Sequence, residues 1–549
     1  MMEVFKMKII RKMSLLILCI LVISALVACS ADANQADAND VKASEVKASE
    51  MTKTFTYATA VDLSNLTPLW MSAENEAACE LVYDTLLKYE DGEIKGNLAE
   101  TWSFNEEGTA LTLKLREDVS FHDGTPFNGQ VVKRNLEFFS QNPNAGFILA
   151  VGMLEEVEVI SDYEVILHFK TPYFAYLNDL CQQDVMVMVQ PDMIEEGNFQ
   201  LMKGVVGTGP YALEEQVDGQ YSRFVKNDKY WDKSYTYHYD EVVVKVIHES
   251  TSRLQALQNG EIDAVFGGAY VSHDDFQQVQ AIPGLEGVWS DNYREARTLV
   301  VNASNPLLAD LRIREAIEYA IDKEALSLGL CNGVEDVAYD MFPQDMAYSQ
   351  ADMKVRAFDV ERANALLDEA GALMNDKTGI RELDGQAMKI VFTYDSGEVL
   401  NQQLATMISS QLKEVGIQVD STGQDMYTWW MRAVEGAYGL TIWNVPLTPY
   451  AVPHLNLTPR INSTPHTPAI KALADGQTCM DAIMAFASTN DTEEVVNLFK
   501  YILEYDDKNL ISIPLTYSKE PFIYRTDALA GYEFGEATRF FMLDQVVPK

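Results

Sequence analysis

The stretch Asn401-Gln-Gln-Leu-Ala-Thr-Met-Ile-Ser-Ser-Gln-Leu-Lys-Glu-Val-Gly-Ile-Gln-Val-Asp420 decides the fold class. Leu404, Met407, Ile408 and Leu412 share one face of a helical period. Gly416 can adopt the left-handed conformation that closes a helix. Ile417-Gln-Val-Asp420 then reads as a strand. The same grammar occurs upstream, from Ser252 to Asp263. Leu254, Ala256 and Leu257 lie in a helix, Gly260 stops it, and Ile262-Asp-Ala-Val-Phe266 is the strand. The two units flank Leu311, and they predict two α/β lobes, each with its own sheet.

The remaining elements fit this frame. Thr54-Phe-Thr-Tyr-Ala-Thr59 reads as a first strand. A helix is expected from Leu311 to Leu326, with Ile313, Ala316, Ile317, Ala320 and Ile321 inward. Asp359 opens another, with Ala363, Leu366, Leu367 and Ala370 inward and Gly371 at its end. Alternating segments at Leu111–Arg116, Glu164–Phe169 and Glu241–Ile247 predict antiparallel strands.

At the N-terminus, Lys6, Lys8, Arg11 and Lys12 precede an apolar stretch from Leu15 to Val27. As a helix it would span about 20 Å, short for a permanent membrane crossing and suited to a secretion signal. Leu26-Val27-Ala28-Cys29 follows, a pattern that reads as a bacterial lipobox, with the Cys29 thiol as acceptor of a lipid. Residues 30–52 carry almost no large apolar side chains, and Val41-Lys-Ala-Ser-Glu45 repeats as Val46-Lys-Ala-Ser-Glu50. Such a segment cannot bury enough surface to offset its ordering entropy, so it reads as a flexible tether.

The 549 residues carry 42 basic and 82 acidic side chains, a formal charge of −40. That balance repels phosphate backbones and argues against nucleic-acid partners. With Cys19 in the signal and Cys29 lipidated, Cys79, Cys181, Cys331 and Cys479 remain; they are too dispersed for a thiol metal motif and are either buried thiols or disulfides. GxSxG, HExxH, the P-loop and GxGxxG are all missing, which argues against the common hydrolases and NTPases. No catalytic constellation is evident, so an enzyme is not expected.

Six segments, in order, resemble the family 5 extracellular solute-binding proteins of ABC importers, which carry oligopeptides, dipeptides or nickel. They are Leu81-Val-Tyr-Asp-Thr-Leu-Leu-Lys-Tyr-Glu90 running into Asn97–Trp102, Leu113-Lys-Leu-Arg-Glu-Asp-Val-Ser-Phe-His-Asp-Gly-Thr-Pro-Phe127, Gly207-Thr-Gly-Pro-Tyr211, Asn227-Asp-Lys-Tyr-Trp231, Asn259-Gly-Glu-Ile-Asp263 and Leu311–Asp322. The resemblance implies an α/β, two-lobe periplasmic-binding-protein-like fold of type II and the large cluster C type, with a hinge and a central cleft. Residues 1–28 would be the signal and 29–52 the lipidated cysteine and tether. The first lobe would comprise 53–292 plus 512–549, with an inserted subdomain at about 85–205, and the second 293–511. Trp102, Tyr211 and Trp231 read as core. The implied partners are an ABC permease and its ATPase, a small metal chelate or peptide, and the membrane through the lipid. A monomer is expected, without a resident cofactor.

Peptide-binding members carry an Asp-Pro after an aromatic-rich strand, where the aspartate pairs with the peptide ammonium. Here Trp443-Asn-Val-Pro-Leu-Thr-Pro-Tyr-Ala-Val-Pro-His454 has Val452 before Pro453. The stretch is more similar to the nickel-binding branch, which matches Tyr450, His454 and His466. Its prolines predict an extended loop. Neutral imidazole suits Ni²⁺, and the resemblance implies His466 and His454 as candidate metal ligands for a Ni(II) chelate. Arginine forks grip the chelator's carboxylates in that branch. The first-lobe stretches that carry them there lack arginine here, leaving Arg460, Arg294 and Arg297. Tyr450 completes the expected ligand contacts. An oligopeptide or dipeptide carrier is the alternative, and a sensory or adhesion lipoprotein on the same fold is a third reading.

Overall fold

A computed structural model describes residues 52–549 apart from 61, 64–72, 91, 142–151, 183–185, 195–204, 269, 344–345, 347–350, 448–453 and 536–540. The signal, Cys29 and the tether lie outside the described residues. Among those described, no helix is long and apolar enough to cross a membrane.

Two sheets organise the chain. The first has seven strands in the order Leu285–Trp289, Pro521–Arg525, Ala264–Phe266, Thr54–Thr59, Glu241–Val246, Tyr221–Lys226 and Tyr211–Val217. The second has six: Asp336–Val337, Ser512–Ser518, Glu295–Val301, Leu440–Pro446, Lys389–Asp395 and Gln418–Gln424. Each opening helix–glycine–strand unit feeds one of them. The helix Ser250–Asn259 ends on left-handed Gly260 and leads to Ala264–Phe266. The helix Val399–Glu414 is followed by left-handed Gly416 and Gln418–Gln424. A separate antiparallel sheet, Ala99–Phe104, Ala110–Leu115, Glu164–Phe169 and Leu154–Ser161, falls within the stretch expected as an inserted subdomain.

Glu295–Val301 is buried at every residue, because both sheet faces are covered. Leu299 and Val301 join one core with Ile313, Ile317, Leu366, Leu404 and Ile408. Ala296 and Val300 join the other with Ile483, Phe486, Phe499 and Ile502.

Three expectations change. The helix expected over Leu311–Leu326 is two, Leu311–Tyr319 and Lys323–Leu330. Asp322 causes the break: its side chain accepts from Ala325 N–H and starts a new helix. The second lobe reaches further than 511. Ser512–Ser518 pairs with Glu295–Val301, so the chain returns to the first sheet only at Pro521. The proline-rich loop is not simply extended. It contains the helical turns His454–Leu457, Thr458–Ile461 and His466–Lys471. Pro459 sits in the first turn of its segment, where a missing N–H removes no helical bond. Cys79, Cys181, Cys331 and Cys479 are all buried, and no disulfide joins them.

Three of the recognised segments converge on Asp84. Its carboxylate accepts from Thr208 Oγ1 at 2.7 Å, Tyr230 Oη at 3.0 Å and Trp231 Nε1 at 2.9 Å. Gly207 and Gly209 let this crossing pack: a Cβ on Gly207 would lie 2.0 Å from the Val82 carbonyl oxygen, and one on Gly209 2.6 Å from its carbon. Trp231 and Tyr211 are buried here, as core side chains. Asp84→Ala would orphan three buried donors. It should lower the free energy of unfolding by about 3 kcal/mol or more in urea titrations, and Gly207→Ala should be at least as damaging.

Candidate ligand-binding site

The lobes are joined by two neighbouring crossings, 290–294 and 519–520. They are bonded to each other: Ser290 N–H donates to Glu520 O at 2.9 Å, Glu520 N–H to Ser290 Oγ at 2.9 Å, and Arg294 N–H to Ser518 O at 2.8 Å. This ribbon is the hinge, and Leu447 N–H, at the end of the Leu440–Pro446 strand, donates to Arg294 O beside it.

Arg294 and Arg297 are brought together here, with carboxylates that sequence reasoning did not single out. Arg294 Nε lies 2.8 Å from Glu520 Oε2. Arg297 Nε meets both Glu335 oxygens at 3.1 Å, and its Nη1 lies 3.3 Å from Glu295 and 3.5 Å from Glu398. Thr516 and Asn444 donate to Glu335 and Glu398 respectively. Four carboxyl groups therefore face two guanidinium groups. Among 82 acidic side chains nothing in the sequence marks these four.

Burial, the largest influence on Arg297, opposes its charge. Glu335, Glu295 and Glu398 outweigh it and raise the pKa. Burial also works against the Glu335 carboxylate, but Arg297 and His273 hold its pKa below the ordinary value. At Glu398, burial and the neighbouring Glu295 prevail and push the pKa up.

Arg460 and His466 form a second group, inside the second lobe. Arg460 is buried and ion-paired with Asp506. Asp506 accepts from Ser512 N–H at 2.7 Å and Ser512 Oγ at 2.9 Å. His466 Nε2 contacts Ser512 Oγ, and its Nδ1 contacts Thr464 Oγ1, both at 3.1 Å. As placed, neither Arg460 nor His466 offers an open group. Ser512 and Thr516 belong to one strand, so this group stands roughly 13 Å along the sheet from the hinge group. His454 is separate again, stacked on Phe486 with ring centroids 4.2 Å apart. Its Nδ1 is buried without a hydrogen-bond partner. Tyr450 lies outside the described residues. Trp443 and Trp429, stacked at 5.7 Å, add an aromatic wall beside His466.

A family model described as bacterial extracellular solute-binding proteins, family 5 Middle, matches residues 93–460. The chain belongs to that family. It is 26% identical over 471 residues to the nickel-binding periplasmic protein of Escherichia coli K12, covering 84% of this chain and 88% of that one. NikA from Brucella suis, solved in complex with Fe(III)-EDTA, superposes with a TM-score of 0.81 at 27% identity, over 90% of this chain and all of that one. DppA from Helicobacter pylori, solved with the peptide STSA, superposes at 0.75 with 21% identity over 90% and 98%, a likeness of fold. This family-5 protein thus has the two-lobe periplasmic-binding-protein fold, and its relatives are transporter binding proteins.

Burial lowers the His454 pKa from 6.5 to about 4. A histidine held neutral binds fewer protons folded than unfolded. Its contribution is whole above 6.5 and is lost as pH falls towards 4. At pH 4.5 the loss should be about 2–3 kcal/mol. His454→Phe should therefore narrow the stability gap between pH 7 and 4.5 by that amount in urea titrations.

Proposed function

We propose that this protein is the lipid-anchored substrate-binding component of an ABC importer, capturing a metal chelate, nickel foremost, and handing it to a permease. The observation that carries the reading is the similarity to the nickel-binding periplasmic protein along 84% of the chain. The segment bearing Tyr450, His454, Arg460 and His466 supports it. His466 is the residue assigned to the metal and Tyr450 to the chelate. In this reading His466 exchanges its two hydroxyl partners, Thr464 and Ser512, each worth about 1 kcal/mol, for the metal. Arg294 and Arg297 already hold carboxylates, so a chelator with few carboxylates fits better than a polycarboxylate.

One observation favours peptides as a second reading. Glu398 and Glu295 lie beside the end of the Leu440–Pro446 strand, where Asn444 donates to Glu398. They could receive an ammonium group although the Asp-Pro motif is missing.

Thermal unfolding of the purified protein with Ni²⁺ alone, Ni²⁺ plus L-histidine, and a dipeptide mixture separates the two. A ligand at a hundred times its dissociation constant stabilises by about 2.7 kcal/mol. A rise with Ni²⁺ and histidine, reduced in His466→Ala, is expected; a rise with dipeptides alone rejects the nickel reading. For the anchor, cells grown with radiolabelled palmitate should label the parent protein and not Cys29→Ala.

A further inference from the structure

On the hinge cluster's first-lobe side, the helix His273–Val279 brings one imidazole against the second lobe. His273 stacks on Trp289, with ring centroids 5.2 Å apart and planes 20° from parallel. Its Nε2 is buried without a hydrogen-bond partner and lies 3.6 Å from Glu335 Oε1. Cys331 is buried beside them. One ligand atom each from His273, Cys331 and Glu335 lie within 4.8 Å of one another. We propose that these three side chains bind a divalent transition cation of the zinc and cobalt class, tying the lobes together at the hinge.

The chemistry of the donors supports this. Imidazole, thiolate and carboxylate are the donor types of tetrahedral zinc-class sites, and three of them leave the fourth position for water. Bond lengths of about 2.0–2.3 Å place tetrahedral ligand atoms roughly 3.3–3.8 Å apart. His273 Nε2 and Glu335 Oε1 are already 3.6 Å apart, and no pair of the three ligand atoms is separated by more than 4.8 Å.

The backbone prepares the second-lobe half. Cys331 caps the helix Lys323–Leu330, and Asn332 and Gly333 follow with φ of 54° and 72°. Two successive left-handed residues reverse the chain, and Gly333 N–H returns to Ser327 O at 3.0 Å. The turn sets Glu335 beside Cys331. Arg297 and Thr516 then fix the Glu335 carboxylate, as groups behind metal ligands commonly do. Across the lobes, Asn332 Nδ2 donates to Asp274 Oδ1 at 3.0 Å and holds the two halves in register. On binding, the Cys331 S–H bond breaks, a sulfur–metal bond forms, and the proton leaves to water. Glu295, ion-paired with Arg297, offsets the charge of that nearby guanidinium.

The test uses the purified, reduced, metal-stripped protein and Co²⁺ alone, with no small-molecule chelator, so it does not depend on what the cleft carries. One equivalent of Co²⁺ should produce a thiolate-to-cobalt charge-transfer band in the near ultraviolet. Cys331→Ser should abolish the band, and His273→Gln, from the other lobe, should weaken Co²⁺ binding roughly ten-fold or more. Cys479→Ser should leave it intact. The cobalt X-ray absorption spectrum of the parent protein needs no variant and should show one sulfur in the first shell. No band in the parent, a band that survives Cys331→Ser, affinity unchanged in His273→Gln, or a shell of nitrogen and oxygen alone overturns the proposal.

Discussion

A single buried guanidinium governs the junction of the two lobes. Arg297 keeps its charge with almost no access to water, and an isolated ion in that position would be destabilising by several kcal/mol. Glu295, Glu335 and Glu398 close around it, and Glu335 and Glu398 are shifted in opposite directions. Glu335, pinned through both oxygens, stays ionised and reaches towards the first lobe. Glu398, facing another carboxylate, is driven towards its neutral form. Because Thr516 also grips Glu335, the strands Glu295–Val301 and Ser512–Ser518 are locked together at their hinge end as well as along their ladder.

That arrangement changes what the arginines mean. On sequence grounds Arg294, Arg297, Arg460 and His466 looked like parts of one grip on a carboxylate-bearing chelate. In the fold they divide into a hinge pair and an interior pair, and each basic group has an internal partner. The carboxyl groups around the hinge pair leave a local excess of negative charge. The formal charge of −40 is therefore not confined to solvated surface.

The lobes were legible because helix–glycine–strand units are written locally, in apolar spacing and one left-handed glycine. The family was legible because its segments are structural: Asp84, Thr208, Tyr230 and Trp231 form one buried knot, and Gly207 and Gly209 make room for it. What was not legible depended on long-range meeting. The pairing of Arg460 with Asp506 joins residues 46 positions apart, and that of Arg297 with Glu335 residues 38 apart. No local pattern announces either. The helix break at Asp322 was readable in principle, since an aspartate three residues before Ala325 is a helix-starting signal, but unbroken apolar periodicity masked it.

The paired crossings at 290–294 and 519–520 reduce the mechanics of a large chain to one coordinate. Two backbones bonded side by side resist stretching and sliding, yet they bend as a strip. Away from that strip, Ala175 N–H also meets Ala487 O at 3.1 Å, joining the inserted subdomain to the second lobe. A bond of this kind, worth about 1 kcal/mol, alters a two-state ratio roughly five-fold. Ala487 also lies in the first-lobe core, with Ile461 and Met484 packed against it. Opening therefore works against packing as well as that bond, and small contact energies along the lobe faces become large changes in the balance between open and shut.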